Sequence, residues 1–187
     1  MKKIILFAAV LFAGVSIVKA DTPATGTGSA TATTTLNVKL NPIQTLFVNP
    51  AHSIVDLEYK TVSDYSQGVT AKKDDHLTVY STGAFAVKVT SNVDDIKRKN
   101  GDQTIAASSI KVTASDGIKN PLKANYGTIS LSTGSKDNLI SSTTGGVNKT
   151  FNITYAGLGN DGYVNNYFND ETTTVYEVTV TYSIVAQ

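Results

Sequence analysis

The stretch Val175–Gln187, VYEVTVTYSIVAQ, decides the fold. Tyr176, Val178, Val180, Tyr182 and Ile184 fall on one face of an extended chain, with Glu177, Thr179, Thr181 and Ser183 on the other. A two-residue period of this kind belongs to a half-buried β-strand, because successive side chains of a strand point to opposite faces. Burying five such apolar side chains contributes on the order of 7–15 kcal/mol, comparable to the net stability of a whole domain. The segment is therefore expected to be an integral member of a sheet.

The same alternation recurs upstream. Leu36, Val38 and Leu40 alternate with Asn37 and Lys39, Pro42 interrupts, and IQTLFV resumes the pattern. Val55, Leu57 and Tyr59 share a face, as do Leu77 and Val79, and then Phe85, Val87 and Val89. Ile110 and Val112 follow, then Ile129 and Leu131, then Phe151, Ile153 and Tyr155. Turn-forming stretches separate them: STG at 81–83, KNGD at 99–102, SDG at 115–117, TGSKDN at 133–138, TTGG at 143–146 and GNDG at 159–162. No segment sustains an apolar stripe of helical period. The nearest, SNVDDIKRKNGD at 91–102, offers only Val93 and Ile96 among charges and is expected to form a short helical turn or a solvated loop. Roughly eight to nine short strands with turns between them predict an all-β chain, an antiparallel β-sandwich of immunoglobulin-like type.

The amino terminus has a different character. Lys2 and Lys3 precede an apolar stretch from Ile4 to Val18, and VKA ends on Ala20. A basic start, a short apolar run and a small residue at the cleavage position form the layout of a secretory signal peptide, residues 1–20. A membrane span needs about 20 apolar residues, and this run, with Gly14 and Ser16 inside it, falls short. Residues 21–35, DTPATGTGSATATTT, have almost nothing to bury and read as a flexible leader. Residues 36–187 are expected to form a single sandwich domain. The chain is thus expected to be exported, to the periplasm, the cell surface or the medium, with no membrane insertion once the signal is removed.

Composition excludes several functions. With the signal go Lys2, Lys3 and Lys19, three of the 16 basic residues, so the formal charge falls from +1 to −2 against 15 acidic residues. No basic stripe remains to argue for nucleic acid. The chain has no cysteine, which rules out disulfide staples, thiolate metal sites, thiol nucleophiles and attachment of lipid through an amino-terminal Cys. No apolar tail follows the last strand, so no anchor is expected there.

Residue patterns for catalysis are weak. His52 sits in the loop NPAHS and His76 follows KKDD, both at polar boundaries, and both are expected to be solvated. A metal site would need His52, His76 and Asp75 to converge in space. No serine lies in a G-x-S-x-G elbow. NKT at 148–150 and NIT at 152–154 match the N-glycosylation pattern and are read as coincidences of a Thr- and Asn-rich composition. The expectation is a non-enzymatic protein.

GLGNDGYVNNYFNDE, residues 157–171, is the stretch most suggestive of a ligand. Its oxygen donors suit calcium, with Asp161, Asp170 and Glu171 as the candidate ligands. Gly157, Gly159 and Asp161 give one G-x-G-x-D, a motif that binds calcium when repeated in tandem. Asn160, Tyr163, Asn166, Tyr167 and Phe168 make a candidate sugar-binding surface, since exposed aromatics stack on sugar rings and amides bond their hydroxyls. Against this stands an inter-strand loop whose Gly and Asx residues serve turn geometry and whose rings cap the sandwich. No cofactor is expected beyond this calcium candidate.

HLTVYSTGAFAVKVTSNV, residues 76–93, resembles the part of WxL-type bacterial surface domains where a strand, a glycine turn and a Trp-x-Leu strand follow one another. Phe85-Ala86-Val87 occupies the Trp-x-Leu place, and in YEVTVTYSI Tyr182-Ser183-Ile184 occupies a second, at the closing strand. Both tryptophans are absent. That resemblance implies a β-sandwich and non-covalent association with a cell wall, and the missing tryptophans weaken the wall-binding part. The Thr/Ala-rich leader and alternating last strand also resemble pilin-like domains of the spore-coat and chaperone–usher type. Those resemblances imply a cell-surface structural or adhesion protein whose partners are a surface polymer or neighbouring subunits of the same or a related protein. Common to both is strand addition: TATTTLNVKL, residues 31–40, either supplies a strand to a neighbour or pairs within its own sandwich.

Overall fold

A computed structural model describes residues 31–187. The expected signal peptide and the first part of the expected leader, residues 1–30, lie outside the described residues. Residues 31–39 are exposed and carry no regular structure, while Leu40–Gln187 make a compact unit.

That unit is an antiparallel β-sandwich. One sheet contains β1 (Gln44–Val48), β2 (Thr70–Ser81), β10 (Gly146–Ala156), β6 (Lys111–Asp116) and β8 (Thr128–Ser130), in that order across the sheet. The other contains β11 (Val180–Ala186), β3 (Phe85–Ser91), β9 (Ile140–Ser142) and β7 (Asn125–Tyr126). A separate hairpin pairs β4 (Asp95–Lys97) with β5 (Thr104–Ala106). Leu77, Val79, Val112, Phe151 and Ile153 from the first sheet meet Phe85, Val87, Val89 and Ile140 from the second in a fully buried core. The rings of Phe85 and Phe151 touch edge to face across it, with centroids 6.3 Å apart.

The closing strand takes the role its alternation predicts. Tyr182 pairs with Val89, Ile184 with Val87 and Ala186 with Phe85, so β11 is hydrogen-bonded along β3. Val180, Tyr182 and Ile184 are half-buried against the core, whereas Thr181 and Ser183 are exposed. The ladder is shorter than the alternation, because Val175–Thr179 continue the extended course outside the strand.

Three expectations are corrected. The strand expected from Leu36 is not formed, and the first strand begins at Gln44. Residues 91–102 hold no helical turn. They supply β4, with Ile96 buried on one side and Arg98 buried just beyond, and KNGD makes the hairpin turn. His76 is not solvated but 2% exposed.

The last correction has a backbone cause. In the β2–β10 register Leu77 faces Phe151 and Lys73 faces Ile153, so Asp74, Asp75 and His76 together oppose Asn152. Such a bulge re-aims side chains that strict alternation would send outward. Asp75 adopts φ +48°, in the left-handed region that Asp tolerates better than most residues. Its N–H donates to Asn152 Oδ1 at 2.7 Å, and its Oδ1 accepts from the N–H groups of Ile118 and Lys119 at 2.7 and 3.2 Å. Burial pushes the Asp75 carboxyl up, but its hydrogen bonds outweigh that and hold it below the usual carboxylate range. Asn152, the acceptor here, is buried, which removes it from consideration as a glycan acceptor.

Candidate functional site: an open seam beside the core

After β1, Asn49 caps a short 3-10 turn, Pro50–His52, by accepting from the N–H of Ala51 at 3.1 Å. The chain then runs extended from Ile54 to Lys60. Thr61 and Asp64 form a capping box that starts α1 (Val62–Gln67), with Asp64 Oδ2 accepting from the N–H groups of Lys60 and Thr61 at 2.9 and 2.7 Å. Those bonds hold the Asp64 carboxyl below its ordinary range.

Between these two caps the expected strand is extended but unpaired. Val55, Leu57 and Tyr59 are half-buried and Asp56 and Glu58 are exposed, as the alternation predicts. No backbone N–H or C=O of Ile54–Tyr59 is hydrogen-bonded to another described residue. Across from it, Val175–Thr179 is bonded along one edge: Lys99 N–H donates to the Val175 carbonyl at 2.8 Å and Asn92 N–H to the Thr179 carbonyl at 3.1 Å. The backbone groups of Tyr176 and Val178, on the other edge, have no such partner among the described residues.

Between these two extended segments lies a seam of about 1030 Å³. Val55, Leu57, Tyr176 and Val178 line its walls, and His76, Tyr155, Tyr182 and Leu131 lie deeper. A sandwich normally fills such a space with a paired strand. Here two alternating segments present apolar side chains inward and free backbone groups along their edges, the arrangement that accepts an added strand.

The deep end is polar and closely knit. Tyr155 on β10 and Tyr182 on β11 share a hydrogen bond of 2.6 Å, and the Tyr155 hydroxyl also lies 2.9 Å from His76 Nε2. His52 stacks on His76 with ring centroids 5.7 Å apart. Burial first, then the neighbouring His52 and Lys73, pushes the His76 imidazole down to about 4, so it is neutral near pH 7. Its Nδ1 has no hydrogen-bond partner among the described residues. Burial likewise pushes the hydroxyls of Tyr155 and Tyr182 upward. The two histidines do converge, but the Asp75 carboxylate is turned to Ile118 and Lys119.

The 157–171 loop closes one end of the seam. Gly68, at φ +84°, and Gly159 let the loop lie directly on the end of α1; a Cβ on Gly159 would stand 2.6 Å from the carbonyl carbon of Gln67. Asn160 and Asp161 N–H groups donate to the carbonyls of Ser66 and Tyr65 at 2.7 and 2.9 Å. Asn160 and Asp161, within the G-x-G-x-D copy, and Asn165 beyond it have positive φ, so these three residues shape turns. Tyr163 packs edge-on against Tyr59 at 5.2 Å and its hydroxyl meets Ser109 Oγ at 2.6 Å. The Asn166 carbonyl accepts from the Tyr176 hydroxyl at 3.0 Å.

Arg98 ties down the far end of this loop. Its guanidinium grips both Asp170 carboxylate oxygens at 3.0 Å and lies 4.4 Å from the Phe168 ring centre. The Arg98 bonds hold the Asp170 carboxyl below its usual range. Glu171 turns both carboxylate oxygens inward without a hydrogen-bond partner among the described residues. Tyr167 is exposed, with its hydroxyl donating to the Glu171 carbonyl at 2.9 Å. Asp161, Asp170 and Glu171 are thus dispersed: among the described residues there is no group of three or more His, Asp or Glu side chains placed to hold a metal ion. Of the candidate sugar-binding residues, Tyr163 and Phe168 are engaged within the fold and Tyr167 faces solvent.

Among the described residues no helix is long and apolar enough to cross a membrane. No protein-family model matches the chain, and a comparison with curated proteins finds no match either.

The sequence signal for the seam was present in Val55, Leu57 and Tyr59, but alternation reports burial of one face only. It does not report whether the strand edges are paired.

Proposed function

We propose that this chain is a secreted, non-enzymatic structural or adhesion subunit of a bacterial cell surface, and that its sandwich takes an extended segment of a neighbouring molecule into the open seam. The observation that carries this reading is the pair of extended, inward-alternating segments, Ile54–Tyr59 and Val175–Thr179, with free backbone edges on either side of one groove. Strand addition draws affinity from main-chain hydrogen bonds and specificity from pockets for alternate side chains. The seam offers both. The signal-like amino terminus and the absence of a catalytic residue pattern in the sequence agree with a surface role.

A soluble module binding a glycan or calcium through residues 157–171 draws less support, since Tyr163, Phe168 and Asp170 each have partners inside the fold.

Fractionation of producing cells, followed by sizing of the native species, tests the proposal. Cell-associated material of high mass is expected. Small, freely soluble material that binds neither cells nor itself would overturn it.

A further inference from the structure

We infer that Asn100 is a self-modification site, which sheds its side-chain nitrogen as ammonia and becomes isoaspartate, and that Arg98 directs the product.

KNGD, residues 99–102, holds the one Asn-Gly step in the chain. It forms the tip of the β4–β5 hairpin, closed by the Arg98 N–H donating to the Gln103 carbonyl at 2.8 Å. Asn100 and Gly101 are both exposed. Neither the Asn100 side-chain amide nor the Gly101 N–H has a hydrogen-bond partner among the described residues. A backbone nitrogen in that state, on a residue without a Cβ, is unhindered in its approach to the Asn100 Cγ. Asn160 makes the contrast. The nitrogen that follows it belongs to Asp161, carries a side chain beside it, and donates to the Tyr65 carbonyl at 2.9 Å.

The buried arginine requires the glycine. A Cβ at position 101 would stand 2.4 Å from Arg98 Nε and 2.6 Å from Arg98 Nη2, closer than such atoms pack. Arg98 is 7% exposed and grips both Asp170 carboxylate oxygens at 3.0 Å, so it has little room to yield. The guanidinium thus keeps the labile Asn-Gly step at the hairpin tip.

First the Gly101 nitrogen bonds to Asn100 Cγ and the Cγ–Nδ2 bond breaks. Ammonia leaves with the proton that the attacking nitrogen gave up, and a cyclic imide remains. Water then adds to one of the two imide carbonyl carbons, whose bond to the Gly101 nitrogen breaks while that nitrogen takes back a proton. Addition at Cγ yields aspartate. Addition at the main-chain carbon yields isoaspartate and frees the main-chain carboxylate.

Arg98 favours the second route. Its Nη2 donates to the Asn100 main-chain carbonyl oxygen at 2.7 Å, so it polarises that carbon and stabilises the oxyanion formed on it. The carboxylate freed there stays beside the guanidinium, whose Nε is buried without a partner and offers it a second N–H. The new charge also competes with Asp170 for the arginine that fastens the 157–171 loop.

The mature full-length chain is incubated at pH 8, and its asparagines are followed by peptide mapping with electron-transfer fragmentation, which separates isoaspartate from aspartate. Asn100 is expected to convert ahead of Asn160. Its ratio of isoaspartate to aspartate should exceed that of the chain unfolded in guanidinium chloride by about threefold or more, the worth of one net hydrogen bond. Arg98→Lys keeps the charge without the planar fork and should bring the ratio down toward the unfolded value; the comparison of folded with unfolded natural chain stands even where that variant folds poorly. Asn100 left intact after Asn160 has converted, or one product ratio shared by the folded and unfolded chains, would overturn the inference.

Discussion

The hydroxyls of Tyr155 and Tyr182 lie 2.6 Å apart and join β10 to β11 across the sandwich at the deep end of the seam. Because the Tyr155 hydroxyl also contacts His76 Nε2, the two sheets and the β2 bulge meet at one oxygen.

Removing that oxygen is expected to cost more than removing its neighbour. Tyr155→Phe leaves both His76 Nε2 and the Tyr182 hydroxyl without their partner, a loss of about 2–3 kcal/mol, whereas Tyr182→Phe breaks one bond and costs about 1 kcal/mol. Urea unfolding of the two variants at pH 7 checks the order.

The buried imidazole sets a pH dependence. The folded state holds His76 at about 4 and the unfolded chain at its ordinary value near 6.5, so the unfolded state binds more protons between those limits. Stability is therefore full above pH 6.5 and falls as the pH drops toward 4. The loss over that window is about 2–3 kcal/mol. Asp75, Asp64 and Asp170 act in a lower window, because their folded values are depressed: the stability they add is lost only as the pH falls below the ordinary carboxylate range. Unfolding free energies at pH 7, 5.5 and 4.5 for the natural chain and for His76→Gln separate the two effects, and the variant should be nearly flat over that range.

The β2 bulge depends on a carboxylate. Asp75→Ala leaves the N–H groups of Ile118 and Lys119 without their acceptor and is expected to destabilise the fold by about 2–3 kcal/mol. Asp75→Asn retains an acceptor oxygen and should lose clearly less. Thermal unfolding of both variants measures the difference.

The grip of Arg98 on Asp170 fastens the 157–171 loop to the β4–β5 hairpin. In Arg98→Ala, amide exchange across residues 163–171 should quicken by about tenfold or more, while the buried strands β3 and β10 keep their protection. Equal loosening of those strands would show that Arg98 supports the whole fold.

Cutting the chain before Val175 removes β11 and one wall of the seam. The remainder is expected to lose its cooperative thermal transition, as followed by near-ultraviolet circular dichroism.

The strands most readable from the sequence were those buried on one face, where alternation and packing agree. Phe85, Val87 and Val89, and Phe151 and Ile153, were placed in strands by period alone. What escaped depended on backbone pairing or on contacts distant in sequence. The burial of His76 is not legible in KKDDHL, because nothing there announces that three residues face Asn152 alone. The β4–β5 hairpin escaped because its buried residues are Ile96 and the charged Arg98, and an arginine inside a fold is legible only with its partner, here 72 residues away. The helix α1 did carry a signal, Thr61 with Asp64 three residues on, which is too short to register as an apolar stripe. In the candidate ligand loop, amides that suit a metal and amides that suit a left-handed turn are the same residues, and only geometry separates the two uses.

The pairing of Tyr182 with Val89 spans roughly ninety residues of sequence, a separation of the kind that slows folding. One side of β3 therefore stays unzipped until β11 has emerged, long after β3 itself has been made. Through about the second half of its synthesis the newborn polypeptide carries a sticky ribbon. A holdase that shields Phe85–Ser91 in that interval would guard it against clumping.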